Sequence, residues 1–300
     1  MKQSPIFQIA AFLFIIAAVE CHPATKTIVT PAPGTDPNGG TGQFALTQTM
    51  GETSENSCRG NKMTWKKGQA SWEKLQLATN LNLYQNVWQS EKVSQGGMSD
   101  ITCISFNQGN LAWTNDFQMP CAPQHNNQVK TYTNVAWAGS PIQLSNVTAF
   151  KTAWNWKFTK ESKDLVLDVS YDIFLTKDRN CRSQSCASRE IMIWLAAVGG
   201  ARPAGQRVPV NGKPSGTFKI ASKYEFQVWK GVVGVPVISI FPAQEGRRFT
   251  SFQADLKQVL ANLGQFGVGQ DEYILSVGAG IEVFKGQGTF STSKYTLDLY

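Results

Sequence analysis

The chain has 300 residues, of which 42% are hydrophobic and 16% are charged, and its formal net charge is +7. A positive charge can indicate binding to nucleic acid or to an anionic surface, but here the Lys and Arg residues are scattered and basic segments such as MTWKKGQ and EGRRF are short. We therefore interpret the charge as a solvated face rather than a stripe that follows phosphates, and expect no nucleic-acid partner.

The first 21 residues have the pattern of a secretion signal. Lys2 precedes the apolar run IFQIAAFLFIIAAV, and small and polar residues follow it. The run is too short to span a bilayer, and a buried amino-terminal helix is disfavoured because no amphipathic pattern runs through it. No other stretch of spanning length occurs, so we expect a secreted, extracellular protein without a membrane partner.

Residues 22–56 are rich in Thr, Pro and Gly and lack periodic apolar residues, which predicts a disordered arm. Residues 57–300 have the size of one large all-β domain, which can run to roughly 250 residues. Short runs rich in Val, Ile, Tyr, Phe and Trp recur in this part between turns made of Gly, Asn, Pro and Asp. This pattern predicts a sandwich of β-sheets. Asn146, in NVT, is the only N-x-S/T acceptor, and we expect it to lie at the surface.

Six cysteines are present, and Cys21 lies at the expected cleavage site of the signal. In an oxidising compartment the expected pairs are Cys58 with Cys103, a long-range bridge, and Cys181 with Cys186, a clip on a loop. Cys121 is left without an obvious partner. Zinc is the competing explanation, but the cysteine spacings are irregular and the only histidines are His22 and His125. We therefore expect no metal and no other cofactor.

One segment, TSFQADLKQVLANLG, departs from the β pattern. The apolar residues at helical spacing are Phe252, Leu256, Val259, Leu260 and Leu263. Thr250 and Gln253 fit a capping box, and Gly264 fits a carboxy-terminal stop. The segment is predicted to form a single helix packed on the outside of a sheet.

Carboxylates occur on the polar faces of three predicted strands. In SREIMIWLAAVGG, alternation places Glu190 on the face opposite the apolar core residues, beside Met192 and Trp194. The residues Asp168, Ser170, Asp172 and Phe174 occupy the corresponding face of LVLDVSYDIFL.

The third strand, EYILSVGAGIEVF, places Glu282 after Gly278 and Gly280, where glycines would let a polymer approach the sheet closely. Acids accompanied by aromatic residues suggest carbohydrate hydrolysis, in which one ionised carboxylate attacks the anomeric carbon and one protonated carboxyl donates to the leaving oxygen. One acid on a strand face is weak support, and the combination is more specific, although parity cannot show that the three strands are neighbours.

The motifs YDIFL (171–175), EIMIWLA (190–196) and GIEVFKG (280–286) resemble the three motifs of glycoside hydrolase family 12, in the same order and at comparable spacing. YQNVWQ (84–89) resembles the family's Asn-Leu-Trp strand, and the helix before the final motif also fits. The resemblance spans residues 57–300. It implies a concanavalin-like β-jelly roll of two stacked, curved antiparallel sheets with one external helix, and retaining hydrolysis of internal β-1,4-glucan bonds in a cleft across the concave sheet.

Carried over by motif, the resemblance makes Glu190 the nucleophile and Glu282 the general acid/base. Asp172 becomes a third acid, hydrogen-bonded near the nucleophile. A retaining pair is expected to stand roughly 5 to 5.5 Å apart. The candidates for substrate contacts are Asn86, Trp88, Trp113, Met192 and Trp194. We expect a monomer whose partner is a polysaccharide, most of all xyloglucan, because WLAAVGGARP looks more like the xyloglucan-specific branch of the family.

The chain departs from the family pattern beside the predicted acid/base. Ile281, Val283 and Lys285 replace Thr, Pro and Thr of the usual motif Gly-Thr-Glu-Pro-Phe-Thr-Gly, and the loop with Cys181 and Cys186 is unusual in its length and clip. Three alternatives to a xyloglucan-specific enzyme stay open. They are a cellulase on unbranched glucan, a catalytically weak glucan binder on the same sandwich, and a secreted interaction protein recognised by a host or partner.

Overall fold

The computed structural model describes residues 58–300, so the predicted signal (1–21) and arm (22–56) lie outside the described residues. In chain order the strands are β1 (Lys62–Lys66), β2 (Lys74–Ala78), β3 (Leu81–Tyr84), β4 (Met98–Asn107), β5 (Asn110–Met119), β6 (Thr131–Trp137), β7 (Ile142–Gln143), β8 (Phe150–Glu161), β9 (Val166–Thr176), β10 (Arg189–Val198), β11 (Gln206–Val208), β12 (Phe218–Ile220), β13 (Tyr224–Val233), β14 (Val235–Pro242), β15 (Ser251–Asp255) and β16 (Tyr273–Leu299). The α-helix of the described region is α1 (Leu256–Asn262).

The strands form two sheets that share β16. The front sheet has the order β2-β3-β6-β16-β9-β10-β14-β13-β11, and the back sheet has the order β1-β4-β5-β16-β8-β15. The short strands β7 and β12 pair with β16 and β13 of the front sheet. The pairs are antiparallel except for β10 with β14, which are parallel. This two-sheet architecture confirms the predicted all-β sandwich.

β16 has 27 residues and passes from the front sheet to the back sheet. Its first part pairs with β6 and β9, and its last part, from Gly286 onward, pairs with β5 and β8. Gly286 has a φ of +97°, and a Cβ there would lie 2.7 Å from Cα of Leu165. Only glycine fits this crossing point without strain.

The core lies between the two sheets. The residues of β9 that parity assigned to the core, among them Tyr171, are buried there together with those of β10 and β16. The back sheet contributes an aromatic group in which Trp113 and Trp154 stack with ring centroids 6.3 Å apart, and Tyr295 meets both rings edge-on. Such ring geometry stabilises a core beyond the area that it buries.

The helix is shorter than the sequence pattern predicted. Residues 251–255 form strand β15 on the edge of the back sheet, and α1 begins only at Leu256, with Asp255 as N-cap accepting a hydrogen bond from the backbone N–H of Lys257 at 3.0 Å. The predicted capping box of Thr250 and Gln253 is therefore wrong. The predicted stop at Gly264 is also wrong, because α1 is followed by a 3-10 turn that continues to Phe266. The helical segment ends at Gly267, which has a φ of +97°.

The predicted cysteine pairs are present: Cys58 is bonded to Cys103 and Cys181 to Cys186, while Cys121 is a free, half-buried thiol. Asn146 is exposed, as predicted for a glycan acceptor. Within residues 58–300 no helix is long and apolar enough to cross a membrane, and no group of three or more His, Cys, Asp and Glu side chains could hold a metal ion.

Candidate active site

The front sheet brings the three acid-bearing strands side by side, with β9 between β10 and β16. Asp172 on β9 lies opposite Met192 on β10 and Gly278 on β16. Glu282 on β16 lies opposite Asp168 on β9. Parity then places one group of carboxyls on the face that points away from the core. We call it the acid cluster, and its members are Asp168, Asp172, Glu190 and Glu282.

The acid cluster divides into two hydrogen-bonded pairs. Asp172 pairs with Glu190, and Asp168 pairs with Glu282. The hydroxyl of Ser170, on the same face of β9, donates to Oδ1 of Asp168 at 2.7 Å. All four carboxyls are buried, with exposed fractions between 0% and 8%. The protonation of these four carboxyls is therefore set mainly by the surrounding protein and not by bulk water.

Burial is the main influence on the protonation of the acid cluster. It raises the pKa of Glu190 to about 7, although the hydrogen bond with Asp172 lowers it. The pKa of Glu282 lies well above its usual range because of burial first, and then because of the charge of Asp168 and the hydrogen bond with it. Burial also raises the pKa of Asp172 well above its usual range, with the charge of Glu190 as the second cause. Glu190 therefore loses its proton at a lower pH than Glu282. Between the two pKa values Glu190 is a carboxylate while Glu282 is still a carboxylic acid.

A cavity of about 410 Å³ opens beside Asp172. Its walls come from β3, β6, β9, β16, the loop between β9 and β10, and the segments next to β2, β3 and β6. The lining residues are Trp72, Asn80, Tyr84, Asn86, Tyr132, Asn134, Ala136, Ala138, Gly139, Ser140, Asp172, Arg182, Ser183, Gln184, Leu275, Ser276 and Gly278. Buried oxygens in these walls have no hydrogen-bond partner among the described residues: Oδ1 of Asn86, Oδ1 of Asn134 and Oγ of Ser276. Since such groups are costly to leave unsatisfied, the cavity is suited to a ligand rich in hydroxyl groups.

Aromatic side chains occur in the cavity beside Asp172 and in an apolar group that includes Met192. Tyr84 and Trp72 belong to the cavity, and the Trp72 side chain is 57% exposed. The apolar group contains Met192 and Trp194 of β10, with Trp88 and Trp229 packed against it and half-buried. Flat apolar rings beside hydrogen-bonding groups are the combination by which proteins hold sugar rings.

The predicted site residues are placed unequally. Glu190, Glu282 and Asp172 lie together in the acid cluster, and Asn86 lies in the cavity wall. Trp113 lies elsewhere, in the fully buried aromatic core behind the front sheet, so the prediction that it contacts substrate is wrong. Alternation along a strand does not tell the core side of a back sheet from the open side of a front sheet, so the local sequence around Trp113 could not place it.

Two other predicted substrate contacts, Met192 and Trp194, lie on β10 and are buried. Met192 is 5% exposed and Trp194 is fully buried, and the indole N–H of Trp194 donates to Sδ of Met192 at 3.5 Å. The ring of Trp194 packs on Phe241 with centroids 5.8 Å apart. Trp194 therefore packs against Met192 and Phe241 and does not offer its own ring face to a sugar.

The glycines of β16 have a different neighbour from the one predicted. A Cβ at Gly278 would lie 3.0 Å from the amide nitrogen of Asn134 and 3.1 Å from the hydroxyl of Tyr132, and a Cβ at Gly280 would lie 2.1 Å from the backbone oxygen of Thr133. The space above these glycines is filled by β6. Their role is to let β6 project its polar side chains into the cavity, rather than to admit a polymer to the backbone directly.

Sequence reasoning missed several residues of the site. Asp168 was placed on the correct face but given no role, and Tyr132, Asn134 and Trp229 were not singled out. A signal for two of them exists in TYTNVAW (131–137), where Tyr132 and Asn134 share one face. Trp229 has no comparable signal, because its position near Met192 depends on two pairings: β13 with β14, and β14 in parallel with β10.

The fold agrees with comparisons to known proteins. The family model described as Glycosyl hydrolase family 12 matches residues 79–300. A probable xyloglucan-specific endo-beta-1,4-glucanase A of Aspergillus clavatus is 29% identical over 230 residues, which cover 76% of this chain and 89% of the relative. Xyloglucan-specific endo-beta-1,4-glucanase 1 of Phytophthora sojae is 31% identical over 221 residues, which cover 73% of this chain and 84% of the relative.

Solved structures show the same fold. Endoglucanase 3 of Trichoderma harzianum, from family GH12, superposes with a TM-score of 0.68 at 24% identity, covering 80% of this chain and 98% of that chain. A family 12 xyloglucanase from Bacillus licheniformis superposes with a TM-score of 0.62 at 20% identity, covering 80% of this chain and 100% of that chain. Together with the family match over most of the described residues, the buried acids on adjacent strands lead to one conclusion: the chain belongs to glycoside hydrolase family 12.

Proposed function

We propose that the protein is a secreted, retaining endo-β-1,4-glucanase whose preferred substrate is xyloglucan. The observation that carries the proposal is the placement of two buried carboxyls, Glu190 and Glu282, on one face of the front sheet, on the two strands that flank β9. Burial raises the pKa of Glu190 to about 7 and that of Glu282 well above its usual range. Retaining hydrolysis needs two carboxyls that differ in protonation, because one group must attack as a carboxylate while the other donates a proton.

In the first step Glu282 gives its proton to the glycosidic oxygen, and a carboxylate oxygen of Glu190 bonds to the anomeric carbon. The bond between that carbon and the leaving oxygen breaks, and a glycosyl-enzyme forms. The charge of Glu190 is then gone, so its repulsion no longer raises the pKa of Glu282. Asp172, hydrogen-bonded to Glu190, orients the nucleophile.

In the second step Glu282, now a carboxylate, takes a proton from a water molecule whose oxygen bonds to the anomeric carbon. The ester bond to Glu190 breaks, and the product keeps the β configuration. This sequence requires the two carboxyls to stand roughly 5 to 5.5 Å apart, as predicted from the motifs.

The preference for xyloglucan is supported by relatives whose names carry that specificity, among them the two described above at 29% and 31% identity. The segment WLAAVGGARP supports the same branch. Unbranched glucan is the second candidate, because the structure of a Humicola grisea relative was solved in complex with a soaked thio-cellotetraose. Secretion is supported by the two disulfides, which are typical of proteins from oxidising compartments.

The test is reducing-sugar release by the purified protein from xyloglucan, carboxymethyl-cellulose, mixed-linkage β-glucan and xylan. We expect the highest kcat/KM on xyloglucan, with a rapid fall in viscosity that marks internal cleavage. Equal or higher kcat/KM on carboxymethyl-cellulose would favour the cellulase alternative. Binding of glucan without any hydrolysis would favour a catalytically weak binder.

Glu190→Gln is the matching variant for the nucleophile. It should lower kcat by several powers of ten while leaving the fold and glucan binding nearly intact, because the amide keeps the shape but cannot attack. Glu245→Gln is the control, since Glu245 is exposed in an ion pair with Arg202. More than a few per cent of wild-type activity in Glu190→Gln would remove Glu190 from this role.

A further inference from the structure

We propose that Asp168 is a positioning residue for the acid/base: it shares one proton with Glu282 and thereby keeps Glu282 protonated and correctly oriented. This inference rests on the proposed function, because it concerns the group that protonates the leaving oxygen. The motif resemblance gave roles to Glu190, Glu282 and Asp172 only, so Asp168 is an addition to that set.

The geometry of the pair comes from strand register. Asp168 and Glu282 lie directly opposite each other on β9 and β16, and both side chains are on the open face of the front sheet. Side chains at opposed positions of an antiparallel pair have Cβ atoms about 4.5–5.5 Å apart, which is within reach for two carboxyls. Asp168 is fully buried and Glu282 is 8% exposed, so solvent does little to separate their charges.

Apart from the bond within the pair, which itself needs a proton, one oxygen of each carboxyl is without a donor within residues 58–300. Oδ1 of Asp168 accepts from the hydroxyl of Ser170, while its Oδ2 and Oε2 of Glu282 are buried and find no donor among the described residues. An ionised carboxylate can only accept, so two buried carboxylates side by side would leave these oxygens unsatisfied and mutually repelling. One proton between them removes both problems.

The neighbouring groups favour placing that proton on Glu282. The titratable groups that face the pair are Glu190 on β10, Asp172 on β9 and the phenol of Tyr132 on β6. Burial raises the pKa of Asp168 to about 7, against the lowering effect of the hydrogen bonds with Glu282 and from Ser170. Burial raises the pKa of Glu282 well above its usual range, and the charge of Asp168 and the hydrogen bond with it add to that rise. Asp168 is consequently the acceptor and Glu282 the donor before substrate is cleaved.

Asp168→Asn tests the role with little change of shape. The amide oxygen should take the hydrogen bond from Ser170, so the amide N–H₂ faces Glu282 and stabilises its ionised form, while the negative charge is lost. We expect the basic limb of the kcat/KM profile on xyloglucan to move to lower pH by about 1 unit or more. On an aryl β-glycoside with an activated leaving group, the variant should lose much less kcat/KM above the shifted basic limb, because that leaving group needs little protonation. Asp298→Asn, an exposed position on the back-sheet part of β16, is the matched control.

A ¹³C NMR titration of the Glu carboxyls follows the same proton without substrate, with the Glu282 signal assigned by its absence in Glu282→Gln. In Asp168→Asn the Glu282 signal should titrate at lower pH than in the wild type. An unmoved Glu282 titration, or a basic limb that stays in place or moves to higher pH, would overturn the proposal. A wild-type protein that cleaves no glucan would instead count against the proposed function, because the NMR result does not depend on catalysis.

Discussion

Two chemically identical side chains, Glu190 and Glu282, are made different by their partners. Glu190 has Asp172 as hydrogen-bond partner, and that bond favours its ionised form. Glu282 has Asp168, whose charge and hydrogen bond favour its protonated form. Since both glutamates are buried to a similar degree, the two aspartates of β9 decide which glutamate keeps its proton. The strand between the two glutamates is therefore as important to the chemistry as the glutamates themselves.

Glu282→Ala separates an acid/base from a merely nearby charge. Hydrolysis of a polysaccharide should fall severely, since its leaving group needs a proton, whereas the first step on an activated aryl glycoside should be much less affected. The glycosyl-enzyme on Glu190 should then accumulate because no base activates water. Azide should restore turnover and yield a β-glycosyl azide, measured by NMR. Equal losses on both substrates without rescue would contradict the assignment, and Asp172 would be the next residue to test.

At the scale of elements, the loop of residues 177–188 between β9 and β10 is part of the candidate site, because its residues 182–184 form one wall of the cavity. Cys181 is buried against Phe174 and Leu275 at the base of the loop. The hydroxyl of Thr176 donates to the backbone oxygen of Cys186 at 3.0 Å. The clip therefore ties residues 182–184 of the cavity wall to the base of the loop.

Replacing both cysteines of the clip by serine should mainly affect substrate binding. We expect KM for xyloglucan to rise roughly three- to tenfold with kcat within about twofold, because the cavity wall must be ordered when the substrate binds. The short ring closed by the clip predicts a stability loss of about 2 kcal/mol, against about 4 kcal/mol for the bridge between Cys58 and Cys103. The Cys58→Ser, Cys103→Ser double variant is thus the control: it should lower the Tm more and leave KM unchanged. The reverse ranking of the two KM values would contradict this account.

The elements also show how far sequence patterns reach. Alternation assigned the faces of β9 and β10 correctly, because a buried face constrains every second residue of a strand. Residues 251–255 form a strand and not the predicted helix, because Phe252 and Ala254 also fit an alternating pattern and β8 offers a hydrogen-bonding edge. The placement of Trp113 and the pairing of Asp168 with Glu282 both depend on which strands are neighbours. That information lies in contacts between distant segments and not in any local pattern.

At the scale of the whole molecule, the buried acids should make stability depend on pH. Burial raises the pKa of Asp168 and of Glu190 to about 7 in the folded protein, against about 4 in an unfolded chain. Between these values the folded state binds more protons than the unfolded state, so this stabilisation is complete below about pH 4 and is lost as the pH rises through 7. We expect the Tm to fall by several degrees between pH 5 and pH 8, measured by calorimetry.

Asp168→Asn and Glu190→Gln should each flatten this dependence and raise the Tm at pH 8, because a neutral amide replaces a buried charge. Glu245→Gln, at an exposed position, should leave the slope as in the wild type. A Tm that rises from pH 5 to pH 8 in the wild type would show that the acid cluster is more accessible to water than its burial indicates.

The position of β16 has a consequence for how the protein is made. It lies between β6 and β9 in the front sheet and between β5 and β8 in the back sheet, yet it is the last strand of the described chain to be synthesised. Until residues 273–299 have left the ribosome, both sheets keep a gap at their centre, with unpaired edges that invite chaperones or aggregation. Native structure should therefore appear abruptly in the described residues once the final strand closes both gaps.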